Sequence, residues 1–276
     1  MIHNLTDNNY EMIIDYSVKD SLKSFKEEVL DELYRVHLQQ GEMPLLYSGG
    51  MDSTLILRSL QELGVKVKTL SFSFTADNSD IECELVKNRC KKYGIENPEF
   101  FYFEKNKFFD HINKLRIEEN IVYPALHGFL MDYCVRNSQY DQFYCGMHCE
   151  YKLSEGKILM PPMPAFFKKL YPNKTFGFTT DRTFLSYFKH PQFIMNYKKD
   201  IPKLPFAGED VWYVRDLIYM DCYPDIERSL KNFSAQHNSY RDYITGPFLR
   251  NHYTYVPIGY KAPQPCVFDP EFLINV

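Results

Sequence analysis

The sequence predicts an α/β protein built on a doubly wound parallel sheet, followed by an extension rich in proline and aromatic residues. Three observations predict it. Short apolar runs alternate with amphipathic segments from residue 17 to residue 151, the pattern of strands joined by crossover helices. A glycine-rich turn, Ser48-Gly49-Gly50-Met51-Asp52-Ser53-Thr54, joins the first of those runs to the next helix, at the sheet edge where such folds bind ligands. Thirteen of the sixteen prolines fall after residue 150, which breaks that half into short pieces and argues against a long helical bundle. The expected division is a tail over 1–16, an α/β domain over 17–151 and a substrate-binding or cap region over 152–276.

Each element has its own warrant. Val18, Leu22, Phe25, Val29, Leu33 and Val36 recur at three- and four-residue steps, predicting one helix from Ser17 to Gln40 that ends at Gly41. Met43 to Tyr47 is an apolar run and reads as a buried strand, and Leu55 to Leu63 has helical periodicity. Val65 to Phe74 reads as a second strand, Asp77 to Tyr93 as a capped helix closed by Gly94, and Glu99 to Phe103 as a third strand. Helices follow over Lys107 to Glu119 and Ala125 to Asn137, then a fourth strand from Gln142 to Cys145 ending at Gly146. In the second half two proline-free windows, Gly208 to Cys222 and Asp225 to Tyr243, are candidate helices.

The turn at Ser48 is chemically the most informative stretch. Gly49 and Gly50 lack a Cβ, so they accept positive φ and let backbone N–H groups approach a ligand. The unpaired N–H groups of a helix's first turn and its dipole favour an anion there. Ser48, Ser53 and Thr54 add hydroxyls. Asp52 repels that anion unless a cation lies between them, which points to Mg²⁺. Read as structure alone, the same residues make a tight turn with Asp52 or Ser53 as helix N-cap.

The motif resembles the pyrophosphate-binding Ser-Gly-Gly-x-Asp-Ser loop of the PP-loop ATP pyrophosphatase superfamily. From residue 17 to residue 151 the pattern is most similar to the synthetase domain of asparagine synthetases. Leu70-Ser71-Phe72-Ser73 followed by Asp80, and Ile121-Val122-Tyr123-Pro124 followed by a helix, a strand and Gly146, carry that narrower likeness. It implies the adenine nucleotide alpha hydrolase-like (HUP-type) sheet, with ATP and Mg²⁺ as cofactors. Ser48, Gly49, Gly50, Met51, Asp52, Ser53 and Thr54 would hold the phosphates, Asp52 the metal, and backbone at Phe72 and Gly146 the adenosine. The implied reaction is attack of a substrate oxygen on the α-phosphorus, giving an adenylated intermediate and pyrophosphate, followed by displacement of AMP in C–N bond formation. Asp52 and Glu150 are the expected catalytic carboxylates.

The chain departs from the asparagine synthetase pattern at three places. Position 2 is Ile2, where that family's glutaminase half carries its nucleophilic cysteine, so nitrogen is expected from ammonia, an amine substrate or an amidotransferase-like partner. The family's Gly-Glu-x-x-Asp-Glu loop reads Gly146-Met147-His148-Cys149-Glu150-Tyr151 here, which keeps only Glu150 acidic and weakens aspartate as the substrate. The family's C-terminal helices have no counterpart after Tyr151. Lys168, Lys169, Lys189, Lys198, Lys199 and Lys203 are candidates for the lysine that the family closes over the phosphates.

A formal net charge of −4 gives no sign of a general nucleic-acid surface. Seven irregularly spaced cysteines fit a reducing compartment better than a disulfide framework. The polar N-terminus and the lack of long apolar runs predict a cytoplasmic protein without a membrane span, acting on a small molecule. Cys145, His148 and Cys149 read as strand end and pocket lining, because structural zinc would need a second ligand pair. Two other functions stay open: a PP-loop enzyme modifying a nucleotide, nucleobase or transfer RNA, including by sulfur transfer, and a catalytically silent nucleotide binder.

Overall fold

The computed structural model describes residues 2–5, 10–119, 126–140, 142–147, 152–154, 157–160, 175–177, 180–197, 209–227, 238–240 and 266–268. An antiparallel pair, β1 (Ile2–Leu5) and β2 (Tyr10–Ile13), opens the chain. A short 3-10 helix over Tyr16–Ser21 follows, and α1 spans Phe25–Gln40. The single helix expected from Ser17 is therefore two pieces. Ser24 is the reason: its Oγ accepts from the Glu27 N–H at 3.3 Å and its own N–H donates to Glu27 Oε2 at 3.0 Å, a capping box that starts a new helix. Ser24→Ala is expected to lower stability by about 1 kcal/mol, read as a fall in the urea midpoint at unchanged slope.

The central sheet is parallel and five-stranded. Its strands are β3 (Leu45–Leu46), β4 (Thr69–Ser73), β5 (Glu99–Tyr102), β6 (Phe143–Met147) and β9 (Thr175–Gly177), in the order β5-β4-β3-β6-β9. Each pairing is parallel, with Leu45 opposite Thr69 on one side and Tyr144 on the other. The crossovers are α2 (Met51–Glu62), α3 (Ile81–Lys92), α4 (Lys105–Ile117) and α5 (Leu126–Asn137). The expected α/β alternation holds, with strands shorter than their apolar runs. Met43 to Tyr47 is buried throughout, yet only Leu45 and Leu46 lie on the ladder, and the second strand begins at Thr69 rather than Val65. The third helix begins at Ile81 because Asp80 caps it, accepting from the Cys83 N–H at 2.8 Å and from the Phe74 N–H at 2.8 Å.

Side chains alternate across the sheet, so each face builds its own core. Leu45, Tyr47 and Tyr144 join α1, α2 and α3 on one face. Leu46, Phe143 and Cys145 join α4 and α5 on the other, with Phe103, Phe108 and Tyr133 packed edge to face. Cys145 is buried, its Sγ 3.9 Å from Met131 Sδ, and the strand it belongs to continues to Met147.

Past residue 151 the chain adds to the same body. β7 (Lys152–Ser154), β8 (Lys157–Met160) and β10 (Cys266–Phe268) form a separate antiparallel sheet, whereas β9 extends the central one. Helices α6 (Asp181–Phe188), α7 (Pro191–Tyr197) and α8 (Glu209–Cys222) bring Phe184, Phe188, Phe193, Val214 and Ile218 into the core shared with α1 and α2. The expected cap thus supplies part of the main core. The first proline-free window is helical over Glu209–Cys222. At the second, residues 224–225 form a turn and 226–227 have no regular structure, so the helix does not start at Asp225, whereas 238–240 are helical and 228–237 and 241–243 lie outside the described residues. Tyr240 is buried among Phe74, Phe108 and Phe109, and its hydroxyl donates to the Phe103 carbonyl at 2.7 Å.

Candidate active site at the switch between β3 and β6

The chain runs outward from β3 to β4 and β5, then returns to place β6 on the other side of β3. Neighbouring strands at that reversal send their connections in opposite directions, which opens a crevice beyond their carboxyl ends. The Ser48 turn and Gly146 both lie there. Tyr47 extends the ladder, its N–H donating to the Leu70 carbonyl at 2.9 Å, and the chain then turns into α2.

Two glycines make that turn possible. Gly49 has a φ of +66°, where an L side chain is strained, and a Cβ on it would lie 3.2 Å from Leu85 Cγ. Gly49→Ala is expected to cost about 1–2 kcal/mol, mostly for the left-handed backbone, as a lowered unfolding midpoint. Gly50 is the N-cap of α2 and provides no side-chain cap, so Asp52 and Ser53 are first-turn residues rather than caps. At Gly146 the crowding is backbone against backbone. A Cβ there would come within 2.5 Å of Ser53 N and 2.7 Å of Asp52 C, so only glycine lets β6 pass across the start of α2.

The hydroxyls divide into two roles. Ser48 Oγ lies 3.3 Å from Ser53 Oγ and accepts from the Gly50 N–H at 3.4 Å, at the exposed mouth of the turn. Thr54, expected in the cradle, turns inward: its Oγ1 donates to the Gly50 carbonyl at 2.8 Å and meets the Tyr47 hydroxyl at 3.3 Å. Burial raises the Tyr47 phenol above its ordinary range, so it stays a neutral hydroxyl. The Met51 side chain is core, which leaves its backbone to face the turn.

Asp52 is held from the second half of the chain. Arg215 and Tyr219, four residues apart on α8, share a helix face. Arg215 Nη1 donates to Asp52 Oδ2 at 3.1 Å, and the Tyr219 hydroxyl donates to Asp52 Oδ1 at 3.1 Å. Asp216 takes another edge of the guanidinium, its Oδ1 lying 2.8 Å from Nη2 and 3.1 Å from Nε. Burial works against the Arg215 charge, but Asp52, Tyr219 and Asp216 outweigh it and hold its pKa above the ordinary value. Arg89, whose Cγ would lie 3.6 Å from a Cβ on Gly49, pairs with Glu227, which ties the stretch after α8 to the neighbourhood of the turn.

Of the expected site residues, the structure brings Ser48, Gly49, Gly50, Asp52, Ser53 and Gly146 together. Phe72 sits on β4 with its ring 5.1 Å from that of Phe103. Glu150, His148 and Cys149 lie outside the described residues, as do Lys168, Lys169, Lys198, Lys199 and Lys203. Lys189 is placed away from the turn, donating to the Lys19 carbonyl at 3.2 Å. Arg215 and Tyr219 are the residues that sequence reasoning missed. Their signal, an Arg-Asp pair followed four residues after the Arg by a Tyr within a proline-free window, says nothing about position 52.

Residues 43–113 match the family model described as "Queuosine biosynthesis protein QueC". That span takes in β3, the Ser48 turn, α2, β4, α3 and β5, the segment that carries Gly49, Gly50 and Asp52. Over 82 residues the chain is also 30% identical to the microcin J25-processing protein McjC of Escherichia coli, covering 30% of this chain and 16% of that relative's length. Two solved structures are similar at a distance. A predicted tRNA methyltransferase subunit from Methanocaldococcus jannaschii has a TM-score of 0.38 at 14% identity, over 82% of this chain and 95% of the other. The U34-tRNA thiolase NcsA of Methanococcus maripaludis, solved with its [4Fe-4S] cluster, has a TM-score of 0.31 at 13% identity, over 86% and 78%.

Among the described residues no three His, Cys, Asp or Glu side chains converge as a metal centre, and no helix is long and apolar enough to cross a membrane. Five of the seven cysteines, Cys83, Cys90, Cys134, Cys145 and Cys222, are buried thiols outside any disulfide. Burial pushes the thiols of Cys83, Cys134 and Cys222 up to about 12, which leaves them unreactive near neutrality. Thiol titration of the native protein at pH 8 is expected to modify at most Cys149 and Cys266, with the other five appearing only on unfolding. Because those folded-state pKa values are raised, their contribution to stability is intact below about pH 9, where unfolded thiols begin to ionise, and is lost as pH rises toward 12.

Proposed function

We propose that this chain is an ATP pyrophosphatase-type enzyme that transfers AMP to an oxygen of its substrate and releases pyrophosphate. The observation that carries the reading is the turn between β3 and α2: a left-handed glycine, a helix start without a side-chain cap, and Gly146 packed against the Ser53 N–H. Those features form a backbone cradle suited to phosphate. ATP fits that donor set. Asp52 is the carboxylate at the turn that would hold a Mg²⁺ ion accompanying ATP.

When bound, Mg²⁺ would neutralise charge on the phosphates. The chain's own residues do the rest by position. Backbone at Gly49, Gly50 and the first turn of α2 orients the β- and γ-phosphates, and Tyr219 and Arg215 fix the Asp52 carboxylate. The packing of Gly146 on α2 sets the wall against which the nucleotide lies.

The match to a queuosine biosynthesis family supports a nucleobase or nucleotide carbonyl as the activated group, over the asparagine synthetase-like reading. A second reading rests on the relative that processes a microcin: the same AMP transfer onto a carboxylate, for amide formation. The two separate in one assay. Pyrophosphate and AMP release from Mg²⁺·ATP is followed with pooled nucleobases and nucleotides, pooled amino acids and peptides, and ammonia. Stimulation by the first pool supports the main reading and stimulation by the second the alternative. ADP and phosphate as products, or binding without turnover, would sink both in favour of a silent nucleotide binder.

A further inference from the structure

We infer that Arg215 is a phosphate-binding residue of this site, one that holds Asp52 while the turn is empty and passes to the phosphates when ATP enters. The inference rests on the ATP reading above and deepens it. A guanidinium has five N–H donors in a rigid fork. Nη1 spends one on Asp52, and Nε and Nη2 spend one each on Asp216. The remaining two, one on each terminal nitrogen, meet no acceptor among the described residues, although the side chain is only 13% exposed.

Charge argues the same way. Arg215 stands at the amino end of α2, the positive end of the helix dipole, where a cation is disfavoured unless anions surround it. Asp52 and Asp216 supply those anions now. When ATP arrives, its phosphates add negative charge beside Asp52, and a metal ion would compete with Arg215 for that carboxylate. Asp216, on the same helix turn, can keep one edge of the guanidinium through Nε and Nη2. Nη1, released from Asp52, would then have both of its donors for phosphate oxygens, the bidentate geometry that arginine favours. The lysines expected from the sequence are not needed for this role.

The test is a calorimetric titration of the full chain with ATP, inorganic pyrophosphate and AMP in Mg²⁺ buffer, for wild type, Arg215→Met and Arg215→Lys. The Met variant is expected to weaken ATP and pyrophosphate about 10- to 100-fold while AMP stays within about twofold. Arg215→Lys, which keeps the charge and loses the fork, should fall between, and covers the case in which the Met variant does not fold. ATP and pyrophosphate binding as tight as wild type, or tighter, in the variants would show that Arg215 only restrains Asp52 and would overturn the inference. Wild type that binds neither ATP nor pyrophosphate would remove the ATP reading itself, and this assignment with it.

Discussion

Asp52→Ala is expected to lower substrate-dependent pyrophosphate release by at least about 100-fold, the scale seen when one preorganised charge-stabilising group is removed from an active site. The carboxylate accepts from Arg215 and Tyr219, and in the proposed reaction it would also hold the metal ion. Its loss leaves Asp216 as the acidic partner of Arg215 among the described residues, so the fold survives with a penalty of about 1–3 kcal/mol for the unmet donors. Asp52→Asn separates charge from shape. It still accepts from Tyr219, so its melting temperature should lie closer to wild type, while turnover should fall as far as in the alanine variant. Equal turnover in wild type and Asp52→Asn would remove the metal-holding role from Asp52.

Gly146→Ala is expected to be the most damaging single methyl in the site, at about 3 kcal/mol of stability together with loss of ATP binding. The comparison with Gly49 decides this ranking. A Cβ on Gly49 meets the end of a leucine side chain, which can rotate away, whereas a Cβ on Gly146 meets backbone atoms of Asp52 and Ser53 at 2.7 Å and less. Backbone cannot yield there without lifting β6 from α2 and opening the crevice. Urea unfolding of Gly146→Ala beside Gly49→Ala checks it, and a smaller loss at Gly146 would mean that strand and helix can slide apart at little cost.

The part of this architecture legible in the sequence is the part in which local chemistry dictates the backbone. Ser-Gly-Gly-x-Asp-Ser demands a turn, the apolar run before it demands a buried strand, and the periodic segment after it demands a helix. The misread stretches have equally local causes. Val18 and Leu22 are in phase with Phe25, so periodicity ran one helix through residue 24, although Ser24 and Glu27 already spelled a capping box. Strands of three or four residues, such as β7 to β10, are too short to establish a period of two. Arg215 was beyond reach for a different reason: a salt bridge across 163 residues is a product of tertiary packing, and no spacing rule encodes it.

The place of β9 bears on how the chain matures. During synthesis β3, β4, β5 and β6 emerge in turn, and β6 then presents an open edge until Thr175–Gly177 arrives to cover it. The apolar face of α1 likewise waits for Phe184, Leu185 and Phe188. A nascent chain of about 150 residues therefore carries both an exposed parallel edge and an uncovered core face, the two features that invite association with other chains. Asp52, meanwhile, gains its restraint from α8 later still. The restraint on the Ser48 turn is complete only once residues 215 and 219 have been made, after that edge and that core face have been exposed.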